Sequence, residues 1–529
     1  MKRVSCLLLL ALVACAKSEP AKAPAAQPLS FAEFQALEAG SRLVTDSPSC
    51  TEAKSLIPEV SCKDLRQEFR YVVYVGKQIY CYWEEKKADT GTDFSALATE
   101  LESSITDTTS YSEYFLLLRR WASAFHDGHV NAMTGDDLSL LEIFTSPVRL
   151  EVFAPATDHE KVVVSAVTGV PSLAAGDQVL EVNGVPVSMA LTEASEKQSS
   201  GSTAAMRRLS AARRLVDVIG NRLGTEPFTL KVVHKDAELV VNIPRKAELN
   251  LPPDPSKKPA EDEDASKLIA ATVMPGGIGY LKIDAFVGNM EKLIPVAMDR
   301  LHNTKGLVID MRTNGGGDQS GSKIIARMIE NKVTRYKVSP RNSDYLLSQR
   351  PYYFLDGIDA SLPFAPWTSI EVEPSPADKS YRGRPVVVLT RPFCFSACDT
   401  FVAGLKANGL ATVLGENTGG GTGTPLVFTL PKTELQFRYS VVRGLTAKDE
   451  PIEGKGTPPD VALEARPEDR FAGKDPQLDA ALELVSKASG VQPPPGESRP
   501  VTFQPQPLDQ SPTKVEDALV KKLSRYLEY

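Results

Sequence analysis

The chain has 529 residues, 42% of them hydrophobic, enough for two to four compact units and too many for a single core. Its 60 Lys and Arg against 67 Asp and Glu leave a net charge of −7. That mildly acidic balance, with no basic stripe of the kind that neutralises phosphates, argues against a nucleic-acid partner.

Lys2 and Arg3 open the chain, an apolar run follows from Leu7 to Ala14, and Cys15 comes next. The run is shorter than the ~20 residues of a bilayer-spanning helix, so an export signal is expected. Leu12-Val13-Ala14-Cys15 resembles the bacterial lipobox, which implies a signal peptide over 1–14 and a lipid on Cys15. Residues 15–29, rich in Ala, Pro and Lys, read as a flexible tether. The expected location is the cell envelope, on the periplasmic side or the outer membrane, with the lipid anchor holding the protein to the membrane.

Residues 30–140 read as a helical domain, because Phe115-Leu116-Leu117-Leu118, Trp121 and Phe125 recur at helical spacing. Over 145–246 the pattern changes to short β-branched runs at Lys161–Val164, Gln178–Val182, Thr229–Val233 and Leu239–Ile243. Gly176-Asp177-Gln178-Val179-Leu180-Glu181-Val182-Asn183-Gly184 resembles a strand and turn of PDZ domains, which bind extended chain ends at a sheet edge. A helical insertion near 188–222 departs from a compact PDZ fold, and no carboxylate-cradling loop is recognisable. Residues 247–270 read as a linker dominated by Pro, Lys, Glu and Asp.

Over 271–487 short apolar runs such as Gly306–Met311 and Pro385–Leu389 alternate with helical stretches, the pattern of an α/β layered domain. Residues 488–529 form a Pro-rich extension. The cysteines fit an oxidising compartment. Cys50–Cys62 and Cys394–Cys398 disulfides are both candidates, and sequence alone does not decide the pairing. A zinc site competes for these cysteines, but few histidines lie near them, so no metal is expected.

Peptide hydrolysis by a hydroxyl needs a base and fixed N–H donors for the oxyanion. Ser396 stands where a buried strand, 385–389, turns into a helix through Phe401 and Leu405. Around it, Gly279-Tyr280-Leu281-Lys282-Ile283, Asp310-Met311-Arg312-Thr313-Asn314-Gly315-Gly316-Gly317, Gly415-Glu416-Asn417-Thr418-Gly419-Gly420 and Gly456-Thr457-Pro458-Pro459-Asp460 occur in order. This series resembles the C-terminal processing (tail-specific) serine peptidases, with the tricorn-like branch the better match. The resemblance implies a crotonase-like (ClpP-like) α/β fold, no cofactor, and Ser396 as nucleophile.

One branch of that family activates the serine with a lysine, but Gly421 occupies the matching position. The other uses a histidine from the helical region, and Phe125-His126-Asp127-Gly128-His129-Val130 resembles its motif, with His129 as the base and His126 as the competitor. The resemblance further implies that Glu453 orients the base and that the amides of Gly316 and Ala397 form the oxyanion hole. Gly128 stands where the family's orienting serine would be. The link from Glu453 to His129 is therefore direct, water-mediated or made by another residue, with Asp127 in reserve. The expected function is an exported, lipid-anchored serine peptidase acting on polypeptides, either as an endopeptidase or directed to their C-terminal ends. The alternative is an inactive PDZ-containing peptide-binding scaffold.

Overall fold

The computed structural model describes residues 60–134, 143–216, 228–244, 265–349 and 362–491, with short pieces at 34–35, 50, 218–219 and 246–248. The expected signal peptide, Cys15, the tether, linker residues 251–264 and the extension beyond 491 lie outside the described residues.

After the short helical piece at 34–35, the described residues form helices Cys62–Ile79, Trp83–Thr90, Phe94–Ser103 and Tyr111–Ser123. Two of them begin on reciprocal caps. The Asp64 amide donates to Ser61 Oγ while the Ser61 amide donates to Asp64 Oδ2, and Glu113 and Ser110 repeat the arrangement. These helices do not close a core alone. Phe69, Trp121 and Phe125 share one apolar cluster with Leu426, Phe437 and Tyr439. Trp121 Nε1 donates to Tyr439 OH at 2.7 Å. Strand Asn131–Met133 pairs antiparallel with Gln436–Ser440 of the hairpin that Pro425–Thr429 begins. The helical segment and the hairpin thus form one packed body, which fixes where the chain after Phe125 can go.

The β-rich region has strands Val148–Phe153, Lys161–Val167, Gln178–Val182, Phe228–His234 and Ala237–Ile243, side by side in chain order and antiparallel. Asn183 and Gly184, with φ of 51° and 75°, make the tight turn expected of that pair. The expected insertion forms two helices, Val187–Lys197 and Ala204–Arg214.

The third region is the α/β layer. Strands Ile269–Met274, Ile278–Ile283, Leu307–Asp310, Val386–Thr390, Thr412–Gly415 and Val461–Ala462 lie in chain order, the first pair antiparallel and the others parallel. Val386 and Val388 face one apolar cluster with Ile294, Ile324 and Phe401, whereas Val387 and Leu389 face another with Leu478, Leu482 and Val485. Helices on both faces explain why these strands read as unbroken apolar runs.

Candidate active site

Ser396 follows strand Val386–Thr390 and immediately precedes helix Ala397–Ala407. Its φ of 60° and ψ of −119° lie outside the regions a residue with a Cβ prefers. Such a conformation costs about 1–3 kcal/mol and persists only where neighbours enforce it. Asp399 is one enforcer. Its Oδ2 accepts the Ser396 amide at 3.0 Å and the Gly421 amide at 2.9 Å, while Oδ1 accepts the Gly420 amide at 2.9 Å. Burial drives this carboxyl up to about 7, against the pull of those donors. The Cys394–Cys398 disulfide closes the same turn around the serine. Asp399 was not among the expected site residues, although a serine three positions before an acid at a helix start is a legible cap signal.

His129 reaches this serine from the helical body. Its backbone amide donates to Asp127 Oδ1 at 2.7 Å, and Asp127 Oδ2 accepts Ser440 Oγ at 2.7 Å and Tyr80 OH at 3.1 Å. The loop is therefore fastened to both the first helix's end and the hairpin. His129 Nε2 lies 2.9 Å from Ser396 Oγ, across 267 residues of sequence. The imidazole is buried, with its ring 4.6 Å from that of Phe395. Desolvation lowers its pKa to about 4, outweighing the attraction of Asp127, and Arg438 adds to the lowering. His126 Nε2 instead meets Glu196 Oε2 at 3.1 Å.

Glu453 is brought near but does not touch the imidazole. Its Oε1 accepts Lys86 Nζ at 2.9 Å and its Oε2 accepts the Thr422 amide at 3.2 Å. A buried carboxylate needs a partner, and Lys86, which sequence reasoning missed, supplies it. His129 Nδ1 accepts the next amide, that of Gly423, at 3.3 Å. The link between Glu453 and the base thus runs through two consecutive backbone amides. Asp127 meets His129 through the latter's backbone amide, not its ring. The missing serine at 128 also has a steric reason, since a Cβ on Gly128 would stand 2.5 Å from Phe395 Cζ.

Gly316, with φ of 106°, packs against the nucleophile so closely that a Cβ there would lie 2.7 Å from that of Ser396 and 3.0 Å from the Ala397 nitrogen. Glycine is what permits this approach. Its amide, however, donates to Asn314 Oδ1 at 2.8 Å. The Asn314 side chain turns back two residues and takes this N–H, so an oxyanion at Gly316 would share it with Asn314 or displace that side chain. The Ala397 amide opens a helix, has no intrahelical acceptor and sits at the positive end of the helix dipole.

Both candidate disulfides are formed, Cys50–Cys62 and Cys394–Cys398, and Cys81 is a buried thiol. The metal-type donor grouping among the described residues is Cys50, Cys62 and Asp107, in which the two sulfurs are bonded to each other.

Strand-turn-helix presentation of a strained serine beside a buried imidazole is the arrangement of a nucleophile with its base, and residues 277–463 match the family model of peptidase family S41. The similarity is thus to serine-type peptidases. The tricorn protease of Thermoplasma acidophilum is 27% identical over 220 residues, 40% of this chain and 17% of that protein. Tricorn protease homolog 1 of Streptomyces coelicolor is 29% identical over 185 residues, 35% of this chain and 14% of that protein. The chain thus spans under a fifth of the length of these two curated relatives. In fold it is similar to mature CPAF, with a TM-score of 0.63 and 16% identity over 81% of this chain and 98% of that one. CPAF complexed with lactacystin gives a TM-score of 0.61 at 17% identity, covering 81% of this chain and 99% of that one.

Proposed function

We propose that the protein is an exported, lipid-anchored serine peptidase that cleaves polypeptides through an acyl-enzyme on Ser396, with His129 as general base. The 2.9 Å approach of Ser396 Oγ and His129 Nε2 carries this reading. Nε2 takes the hydroxyl proton as Oγ bonds to the scissile carbonyl carbon, and the carbonyl electron pair moves onto oxygen. The same proton then goes to the leaving amine as the C–N bond breaks. The Ala397 amide is the proposed donor to the oxyanion. Lys2, Arg3 and the run to Cys15 support export and lipidation, and two disulfides suit an oxidising envelope compartment. Among the described residues no helix is long and apolar enough to cross a membrane.

One observation favours the scaffold alternative. The Gly423 amide against Nδ1 selects the tautomer with its proton on Nε2, whereas a base needs a lone pair there. Occupation of the site, by substrate or by an acylating or phosphonylating reagent, therefore has to turn the Thr422–Gly423 peptide aside before His129 acts. Casein hydrolysis separates the two readings: the wild type cleaves and Ser396→Ala, with unchanged circular dichroism, does not. Equal cleavage by both proteins would defeat the assignment of Ser396.

A further inference from the structure

Gly128 leaves the general base without the serine that the family resemblance calls for beside it, and the space where that side chain would project belongs to Phe395. The hydrogen bonds of this loop nevertheless converge on a hydroxyl. The Gly128 amide donates to Ser202 Oγ at 3.1 Å. Ser202 is 4% exposed, and its hydroxyl favours the charged form of the nearby Glu453 carboxyl. On the other flank, Ser200 Oγ donates to the carbonyl oxygen of Val130 at 2.7 Å. Residues 128 and 130 are thus both held by side chains two positions apart in the connection between helices Val187–Lys197 and Ala204–Arg214.

That connection is itself fixed. Thr203 caps the second helix, its Oγ1 accepting the Met206 amide at 3.2 Å. Glu196, at the end of the first helix, meets His126 Nε2 at 3.1 Å. Lys86 closes the far side, donating to the His126 carbonyl at 2.7 Å and to Glu453 at 2.9 Å.

We infer that Ser202, carried by the helical insertion of the β-rich region, is the positioning residue that takes the place of the absent serine, holding the His129 loop in register with Ser396. The inference rests on the peptidase reading above. The site is then assembled from three parts of the chain: the helical body brings His129, the α/β layer brings Ser396 and Glu453, and the β-rich region brings the hydroxyl that fixes their separation. A buried amide loses its partner when this hydroxyl is removed, so the loop relaxes. Displacement of a base by about 1 Å lowers turnover ~100-fold, which sets the scale.

The test compares wild type, Ser202→Ala and Ser202→Thr in casein hydrolysis, thermal unfolding, and histidine-selective NMR of the His129 ring. Ser202→Ala is expected to lower kcat ~10- to 100-fold with KM changed by less than about twofold, and to shift the His129 ring resonances while leaving those of exposed His159 in place. Ser202→Thr restores the hydroxyl and should recover most of the turnover. An alanine variant with wild-type kcat and an unmoved His129 signal overturns the proposal. So does a variant that loses turnover only in proportion to a lost folded fraction, because that is a purely structural role. If the wild type proves inert, the peptidase reading falls, while the His129 resonance still decides whether Ser202 positions the ring.

Discussion

Replacing Gly128 by serine would restore the residue that the tricorn-like pattern has beside its histidine, and the structure predicts that it impairs this protein. A Cβ at 128 would lie 2.5 Å from Phe395 Cζ, 2.9 Å from Cε2 and 3.2 Å from Cε1. The first two approaches are closer than packed atoms tolerate, so the ring must move. Phe395 is 1% exposed, rests against His129 and precedes the nucleophile, which leaves no direction of retreat that spares the site. Overpacking of this kind costs about 1–3 kcal/mol. If that strain falls on the Ser396–His129 alignment, about 1–3 kcal/mol corresponds to a ~5- to 150-fold loss in kcat/KM. The assay is a double-mutant cycle on casein hydrolysis and thermal unfolding, with Gly128→Ser, Phe395→Leu and the pair together. The smaller side chain at 395 should make the added hydroxymethyl group less harmful, giving a favourable coupling of about 1–3 kcal/mol. Additive effects, or a Gly128→Ser enzyme at least as active as wild type, would refute the steric argument.

Further outcomes follow from the same contacts. Because burial lowers the His129 pKa to about 4, the imidazole is neutral at pH values above that point, so kcat/KM should rise from the acid side through about pH 4; a limb at the ordinary 6.5 would show the ring to be solvated. Asp399→Asn puts an NH2 group among the amides of Ser396, Gly420 and Gly421, leaving a buried donor unmatched at about 1–3 kcal/mol, and should lower both thermal stability and turnover. Glu453→Gln leaves the buried Lys86 ammonium uncompensated, a loss of about 3–5 kcal/mol, and the Lys86→Met/Glu453→Gln pair should recover part of it in chemical denaturation. Cys394→Ser/Cys398→Ser removes the covalent closure of the Ser396 turn, and its reaction with a fluorophosphonate should be slower than that of the wild type.

Much of this site was legible because its signals are local. The turn into helix Ala397–Ala407, the Asn183–Gly184 hairpin and the doubly covered strands each follow from a few adjacent residues. The motif register around Phe125–Val130 pointed to His129 rather than His126, and it is His129 that lies beside Ser396. What the sequence concealed depends on docking between distant segments. Lys86 meets Glu453 across 367 positions, and Ser202 meets Gly128 across 74, so neither pairing leaves a spacing to read. The helical segment looked like a domain because its apolar stripe is regular, but the face that carries Trp121 is completed by Tyr439. The Asn314 contact to the Gly316 amide is local by contrast: Asn314 followed by glycines is an Asx-turn sequence.

The most direct measurement is the rate and position of fluorophosphonate modification in wild type, Ser396→Ala and His129→Ala. An activated alcohol at 396 predicts a single adduct on the peptide containing that residue, none in Ser396→Ala, and a rate ~100- to 10,000-fold lower in His129→Ala. An unmodified wild type, or a rate indifferent to loss of the imidazole, would contradict the pairing.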